Sequence, residues 1–420
     1  MAQGRGRGAP PRARPGRGAV GVAHSGWGLR DAMAFFSELH GQYTELWKAI
    51  IRPPRDQYEL SELGPATFSI KDRTYQRADL TLRNPRGQNI ACSHFEPVPS
   101  QRAAEQLPCV VYLHGNCSSR CEAVQCLPVL LPFGITVFCL DFAGSGMSDG
   151  EYISLGFHER DDLATVVDYL RASRKVTCIG LWGRSMGAAT ALLHADRDPS
   201  IAGLVLDSPF SDLRVLCQEL VDTFTDGKVP HWLVGIALAA VRMSIQSEAE
   251  FDINDLAPIQ HVSNSFIPAC FVAAKMDNFI KPHHTKELHE AYAGDKNMVM
   301  VDGDHNSSRG SFFMDSVAIF FHNTLQCETI PNLRSPPTAR VAAPSLRQQL
   351  RRSSSGSSRS GRGRQAAQAP QALGLQMQAP GRPAVDELEA ARAMEEEMVQ
   401  QAIQLSLQES GITAPERAAT

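Results

Sequence analysis

The sequence predicts an α/β protein built on a mostly parallel, doubly wound sheet. Short apolar runs rich in β-forming residues alternate with helix-like segments from about residue 31 to residue 328, a pattern typical of strands linked by crossover helices. Two early segments, 78–82 and 90–95, instead alternate apolar and polar residues. That period-two pattern favours an antiparallel hairpin. We therefore expect antiparallel strands to open the sheet and parallel strands to complete it.

The remaining elements follow from apolar runs and their punctuation by turn residues. An apolar-periodic helix candidate includes residues 32–36 and 46–51 near the start of this region. Further strands are predicted over 108–113, 135–140, 176–182, 203–206, 268–274 and 298–301, and further helices over 188–195, 213–224, 232–245 and 281–292.

The most informative motif is Gly183-Arg184-Ser185-Met186-Gly187, which matches the pattern GxSxG. It lies between a strand-like run and a helix-like run, so it predicts a sharp strand-to-helix turn with a serine at its apex. The two glycines suit a turn in which side chains would crowd the neighbouring helix and strand. Ser185 is therefore the candidate nucleophile.

A second GxSxG match occurs at residues 146–150 and centres on Ser148. Residues 141–145 separate it from the preceding apolar run, and residues 151–156 open no helix. This context favours a glycine-rich loop at the end of a strand rather than a nucleophile turn. Ser185 is preferred for that reason.

A serine nucleophile needs a base and a residue that orients the base. Asp277 follows the predicted strand 268–274, and His305 follows the predicted strand 298–301 in a glycine-containing loop. We expect His305 to be the base and Asp277 to be its acid. Asp207, at the end of strand 203–206, is the alternative acid.

Oxyanion donors are predicted at the end of strand 108–113, where the chain reads His114-Gly115-Asn116. Gly115 lets the backbone swing so that the next amide points toward the nucleophile. We expect the main-chain N–H groups of Asn116 and Met186 to converge on a developing oxyanion.

Taken together, these motifs resemble the α/β-hydrolase superfamily, and its serine-aminopeptidase-like and lysophospholipase-like branches most of all. The resemblance covers about residues 75–325. It implies the α/β-hydrolase fold with triad order serine, acid, histidine and a small helical cap over about 211–265. The domain itself is predicted over 31–328, where strand and helix signals alternate. Helices 213–224 and 232–245 are the cap candidates, and the alternative is that they pack on the sheet as core helices.

The implied function is a serine hydrolase that cleaves an acyl ester or thioester through an acyl-enzyme intermediate. Two alternatives stay open: an acyltransferase or peptidase of the same fold, and a non-catalytic adaptor that uses the fold as a scaffold. No cofactor is expected. Residues 302–313 lack the glycine and glutamate of a calcium loop, and His283, His284 and His289 lack zinc-site spacing, so no metal site is expected either.

Charge is segregated along the chain, although the formal net charge is only −4. Residues 1–30 contain six arginines and no acid, and residues 331–385 contain nine arginines and no acid. We expect a disordered arm over 1–30, a disordered basic linker over 329–385 and a disordered end over 411–420. No specific nucleic-acid partner is expected, and weak contact of the arginine-rich tails with anionic membranes or nucleic acid is the alternative.

The cysteines and the N-terminal residues indicate the cellular compartment. Ten cysteines are present, several of them inside apolar strands where cysteine packs as a small hydrophobe. Residues 1–30 lack the apolar core of a secretory signal. These observations favour a cytoplasmic protein, and an arginine-rich organellar transit peptide is the alternative.

Residues 386–410 contain a separate candidate binding motif. Seven acidic residues and one arginine lie within 386–409. The stretch looks like a ubiquitin-interacting motif, an acidic run followed by alanine and serine on one helix face. The resemblance implies a helix that binds ubiquitin or ubiquitinated proteins. The residues implied in the contact are Glu395, Glu396, Glu397, Val399, Ala402, Ile403 and Ser406. The rival interpretation is an amphipathic helix docked on the catalytic domain or paired with itself.

Overall fold

A computed structural model of the chain describes residues 47, 48, 50–224 and 231–330. Within them lies one nine-stranded sheet. The strands are β1 Thr67–Ile70, β2 Arg73–Arg83, β3 Asn89–Pro97, β4 Leu107–Leu113, β5 Thr136–Leu140, β6 Val176–Arg184, β7 Gly203–Asp207, β8 Ala269–Ala274 and β9 Lys296–Val301.

The strand order across the sheet is β1-β2-β3-β5-β4-β6-β7-β8-β9. Strands β1 to β3 pair antiparallel, with Leu80 opposite Cys92, and β5 joins β3 antiparallel. Every pair from β5 through β4 to β9 is parallel. The predicted parallel sheet with an antiparallel opening is therefore confirmed, with β1 as an additional edge strand that the pattern did not predict.

Seven α-helices accompany the sheet in the described part of the chain. They are α1 Leu127–Leu130, α2 Glu159–Ser173, α3 Met186–Ala195, α4 Leu213–Phe224, α5 His231–Ala249, α6 Pro282–Ala291 and α7 Ser311–Thr324. A helical turn also includes residues 47, 48, 50 and 51. None of the helices in the described ranges combines the length and apolar content that a bilayer span requires.

The core is divided by the sheet into two layers, because successive side chains of a strand point to opposite faces. In β4, Cys109 and Val111 pack with apolar residues of α2, α3 and α6. Val110 and Tyr112 pack on the other face with residues of α1 and α7. The central strands are thus buried on both sides, which explains their continuous apolar sequence.

The turn between β6 and α3 is the tightest point of the fold. A Cβ on Gly183 would lie 2.2 Å from the carbonyl oxygen of Gly187, and a Cβ on Gly187 would lie 2.1 Å from that of Leu113. No side chain fits at these distances, since the contacting atoms belong to the main chain. The two glycines therefore let α3 begin directly against β4 and β6.

Replacing Gly187 with alanine should lower the free energy of unfolding by about 3 kcal/mol or more, because the added methyl forces α3 away from β4. Denaturant unfolding measures this change. The control is Gly235→Ala in α5, where an added Cβ meets nothing within 4 Å and should stabilise the helix by roughly 0.5–1 kcal/mol. Equal stability of the two variants would contradict the close approach.

Several predictions concern residues outside the described part of the chain. They are the arm over 1–30, the segment 32–36, nearly all of the linker 329–385, the ubiquitin-binding helix over 386–410 and the end over 411–420. The helices predicted over 213–224 and 232–245 correspond to α4 and α5, which lie in the chain between β7 and β8.

Candidate active site

Ser185 occupies the turn between β6 and α3, with φ of 52° and ψ of −117°. This region of backbone space is strained for a residue with a Cβ. The strain is held by the surrounding structure: the Ser185 N–H donates to the Asp207 carbonyl at 2.7 Å, and α3 is anchored through the two flanking glycines. The turn thus places the hydroxyl at the carboxyl edge of the parallel strands.

The structure brings His305 and Asp277 to this hydroxyl. His305 Nε2 lies 3.1 Å from Ser185 Oγ, and His305 Nδ1 lies 2.7 Å from Asp277 Oδ2. Asp277 is almost fully buried, and its other oxygen accepts the N–H groups of Phe279 at 3.0 Å and Ile280 at 2.8 Å. The carboxylate is therefore fixed before it contacts the imidazole.

These contacts indicate which nitrogen of the neutral His305 imidazole carries the proton. A carboxylate only accepts, so His305 Nδ1 carries the proton that Asp277 accepts. Nε2 then presents a lone pair and accepts the Ser185 hydroxyl proton. An imidazole held in this tautomer can take up the proton as the serine oxygen attacks an electrophile. The arrangement has the parts for nucleophilic acyl chemistry.

The alternative acid, Asp207, has a different partner. Both of its oxygens accept from the Arg309 guanidinium, at 2.8 Å from Nε and 3.0 Å from Nη2. The pair is buried on both sides. Arg309 also donates to the carbonyl oxygens of Asp304 and Ser307, both at 3.0 Å. Asp207 thus holds the loop that carries His305, while Asp277 contacts the imidazole itself.

The main-chain N–H groups of Asn116 and Met186 were predicted as oxyanion donors. Neither N–H has a hydrogen-bond partner among the described residues, and both residues line the cavity that contains Ser185. The Asn116 side chain accepts the Cys117 N–H through Oδ1 at 2.8 Å. The two main-chain N–H groups are therefore available to donate to a group bound in this cavity.

The cavity beside Ser185 has a volume of about 90 Å³ and is open to solvent. Its lining is mostly apolar and includes Ile50, Leu155, Phe210, Leu213, Leu216, Cys217, Leu220, Phe279 and Ile280. Helix α4 supplies four of these side chains. Burial raises the pKa of the Cys217 thiol to about 12, so this cysteine is not a competing nucleophile at neutral pH.

A chain of ionic contacts that the motifs did not predict links the two loops of the site. Glu122 accepts the Gly115 N–H at 2.9 Å and the Arg184 guanidinium at 2.9 Å. Arg184 donates in turn to the His305 carbonyl oxygen at 2.8 Å. Arg184 occupies the first of the two variable positions of the GxSxG motif, so the motif itself does not predict this contact. These contacts tie the loop after β4, at Gly115, to the loop that carries His305.

Two other polar residues singled out in the sequence have structural partners. Ser148 Oγ donates to the Asp141 carbonyl at 2.6 Å and accepts the Ala91 N–H at 2.8 Å. His114 Nδ1 donates to the Gly115 carbonyl at 2.7 Å, and its Nε2 accepts the Phe142 N–H at 3.1 Å. Both side chains fasten loops, so neither has a free atom for acid–base chemistry.

Glu122→Gln should slow the reaction of the Ser185 hydroxyl with a fluorophosphonate by about ten- to a hundredfold, because the loops at 115 and 305 lose their common charged anchor. The rate of covalent labelling measures this effect. Glu105→Gln is the control, since its side chain is exposed on the loop before β4. An unchanged labelling rate in a folded Glu122→Gln protein would show that the contacts do not position the site.

Comparison with known proteins supports this assignment of the fold. A sequence profile for the family described as "Serine aminopeptidase, S33" matches residues 104–267, a range that includes Ser185 but not Asp277 or His305. The esterase Pf2001 of Pyrococcus furiosus superposes with a TM-score of 0.50 at 21% identity, covering 65% of this chain and 97% of that one. The chain therefore has the α/β-hydrolase fold.

Two curated relatives are similar to parts of the chain. "Uncharacterized protein YqkD" of Bacillus subtilis is 26% identical over 204 residues, which are 47% of this chain and 65% of YqkD. "Protein ABHD12B" of Homo sapiens is 29% identical over 114 residues, which are 26% of this chain and 31% of ABHD12B. The chain thus spans less than two thirds of the length of either relative.

Proposed function

We propose that this member of the α/β-hydrolase superfamily is a serine hydrolase that cleaves an acyl ester or thioester through an acyl-enzyme intermediate. One observation carries the proposal: a continuous line of hydrogen bonds runs from Ser185 Oγ to His305 Nε2 at 3.1 Å and from His305 Nδ1 to Asp277 Oδ2 at 2.7 Å. In this proposal Ser185 is the nucleophile, His305 the base and Asp277 the residue that orients the base.

The first half of the reaction forms the acyl-enzyme. Ser185 Oγ attacks the acyl carbonyl carbon while its proton moves to His305 Nε2, and Asp277 stabilises the imidazolium that results. The carbonyl oxygen becomes an oxyanion that accepts from the Asn116 and Met186 N–H groups. When the tetrahedral intermediate collapses, the bond to the leaving oxygen or sulfur breaks, and that atom takes the proton from His305.

The second half returns the enzyme to its starting state. Water gives a proton to His305 Nε2 and attacks the acyl carbon. A second tetrahedral intermediate forms, and its oxyanion accepts hydrogen bonds from the same two N–H groups. Its collapse releases the carboxylic acid and returns the proton to Ser185 Oγ. An alcohol or amine in place of this water would give an acyltransferase, which is the alternative reaction of the same site.

The apolar lining of the cavity supports an acyl group rather than a charged one. Leu216 and Leu220 of α4 and Ile280 beside Asp277 are among the side chains that contact whatever occupies it. An apolar chain buried there gains roughly 0.8 kcal/mol per methylene. Because the cavity opens to solvent, the proposal covers acyl chains of varied length and leaving groups of varied shape.

Ser185→Ala should abolish covalent labelling by a fluorophosphonate probe and reduce hydrolysis of an activated ester by about 10⁴-fold or more, since the attacking oxygen is absent. Mass spectrometry of the labelled protein identifies the modified residue. Ser148→Ala is the matched control, because Ser148 is the centre of the other GxSxG match, and it should keep the label. Folded wild-type protein that takes up no probe would favour the adaptor alternative instead.

We also propose that the C-terminal segment binds ubiquitin. The support is the sequence alone. In the proposed helix, Ala402 and Ser406 would share one face, with Val399 and Ile403 beside them and the acids Glu395, Glu396 and Glu397 near its start. A small alanine lets a partner approach the helix backbone closely. One helix buries little area, so the expected Kd is on the order of 0.1 mM, and clustered ubiquitin would bind more tightly by avidity.

Retention on immobilised ubiquitin should be lost in Ala402→Leu, because the larger side chain fills the space that the partner would occupy. Gln404→Leu is the matched control, since residue 404 lies about 160° away from residue 402 around a helix and receives the same side chain. Equal retention of both variants would refute this placement of the contact. Loss in both variants would point to an effect of the added leucine alone and would equally refute it.

The location that we propose is the cytoplasm. All ten cysteines have free thiols, and most are buried as small apolar side chains, a use of cysteine that suits a reducing compartment. Ubiquitinated partners would be encountered there as well.

A further inference from the structure

Three side chains with metal-binding atoms meet where α4 packs near the start of α6. Glu219 belongs to α4, and His283 and His284 lie in the first turn of α6. One ligand atom from each lies within 4.8 Å of those of the other two. The spacing of the histidines alone did not predict this cluster, because its carboxylate comes from a different helix far earlier in the chain.

The environment of His284 indicates that this cluster binds a ligand. Its side chain is 0% exposed, and its Nε2 atom has no hydrogen-bond partner among the described residues. Nε2 lies 3.6 Å from Glu219 Oε2, an oxygen that is paired with the Lys281 ammonium at 3.3 Å. A buried polar atom without a partner, such as His284 Nε2, is costly. A metal ion between Nε2 and Glu219 Oε2 would give Nε2 a partner and take the place of the lysine.

The opposite nitrogen of each imidazole is held by an oxygen. His283 Nδ1 lies 3.1 Å from Glu287 Oε1. His284 Nδ1 accepts the Ser211 N–H at 3.3 Å and lies 2.8 Å from Ser211 Oγ, which donates to Glu287 Oε2 at 3.1 Å. One carboxylate thus orients both rings, directly and through Ser211. Metal binding at His284 Nε2 requires the tautomer with the proton on Nδ1, in which an Nδ1–H donation to Ser211 Oγ would replace the contact with the Ser211 N–H.

We propose that Glu219, His283 and His284 bind one divalent transition-metal ion, with Zn²⁺ as the ion that best matches two imidazoles and a carboxylate. His283 Nε2 is now 2.6 Å from Glu219 Oε1, a hydrogen bond whose proton the metal would replace. Three protein ligands leave one tetrahedral position for water. The ion would join α4 to α6, and through α4 it would fix one wall of the cavity beside Ser185.

Lys281 is the cation that competes for this carboxylate. Its Nζ atom lies 3.3 Å from Glu219 Oε2, and its side chain is 40% exposed. An ammonium at that distance neutralises Glu219 in the absence of metal. Because the lysine is on the solvent side, it can move into water when a metal ion binds. Removing its charge should therefore strengthen metal binding.

The test is a titration of the full-length, chelator-treated protein with Zn²⁺, followed by calorimetry, and with Co²⁺, followed by its visible spectrum. Wild type should bind one ion, and the Co²⁺ spectrum should contain no thiolate charge-transfer band. Glu219→Gln and His284→Gln should lose this site. Glu287→Gln should weaken it by about 10- to 100-fold, and Lys281→Gln should tighten it by up to about fivefold.

His289→Gln is the matched control, because it removes a histidine of the same helix that lies outside the cluster, and it should bind as wild type does. If His284→Gln does not fold, the variants at the partly exposed Glu219 and Lys281 and at the exposed Glu287 still decide the question. Unchanged affinity in Glu219→Gln and Glu287→Gln would overturn the proposal, as would a thiolate band. These outcomes do not depend on the activity of Ser185, so they stand apart from the function proposed above.

Discussion

The approach of α3 to β4 and β6 is the constraint on which the rest of the site depends. It is possible only because Gly183 and Gly187 present no Cβ to main-chain atoms that would lie 2.2 Å and 2.1 Å away. The same approach drives Ser185 into its φ of 52°, a conformation that packing on both sides maintains. Closing this gap also puts the Met186 N–H at the edge of the cavity. One packing requirement thus positions both the hydroxyl and one of the two proposed oxyanion donors.

His305 and Gly115 belong to loops rather than to strands or helices. Ion pairs, more than apolar packing, hold these loops in place. Glu122 and Arg184 connect the Gly115 N–H to the His305 carbonyl, and Asp207 with Arg309 anchors the same histidine loop from the sheet. Both ion pairs are largely buried. Removing one partner of a buried pair leaves an uncompensated charge, so each pair favours a single loop position. The imidazole is consequently held by its main chain as well as by Asp277.

The local features of this site could be predicted from the sequence, because their cause is local. A glycine on each side of Ser185 signals the tight turn wherever the rest of the chain lies, and the order of apolar runs predicts the parallel sheet. The sequence distinguishes less clearly between Asp207 and Asp277 as the partner of His305. Asp207 ends β7 and Asp277 follows the adjacent parallel strand β8, so both carboxylates reach the same edge of the sheet. What separates them is Arg309, which neutralises Asp207, and no pattern along the chain indicates that pairing.

Helix α4 shows why the cluster of Glu219, His283 and His284 could not be predicted from the spacing of residues along the chain. Its residues Leu216 and Leu220 line the cavity beside Ser185, whereas Glu219, between them in the chain, reaches His283 on α6. A helix turns by about 100° per residue, so neighbouring positions necessarily serve different surroundings. α6 in turn begins two residues after Ile280, which also lines the cavity and donates its N–H to Asp277. A change in the contact between α4 and α6 therefore acts on the wall of the cavity and on the segment that holds Asp277, without altering Ser185 or His305.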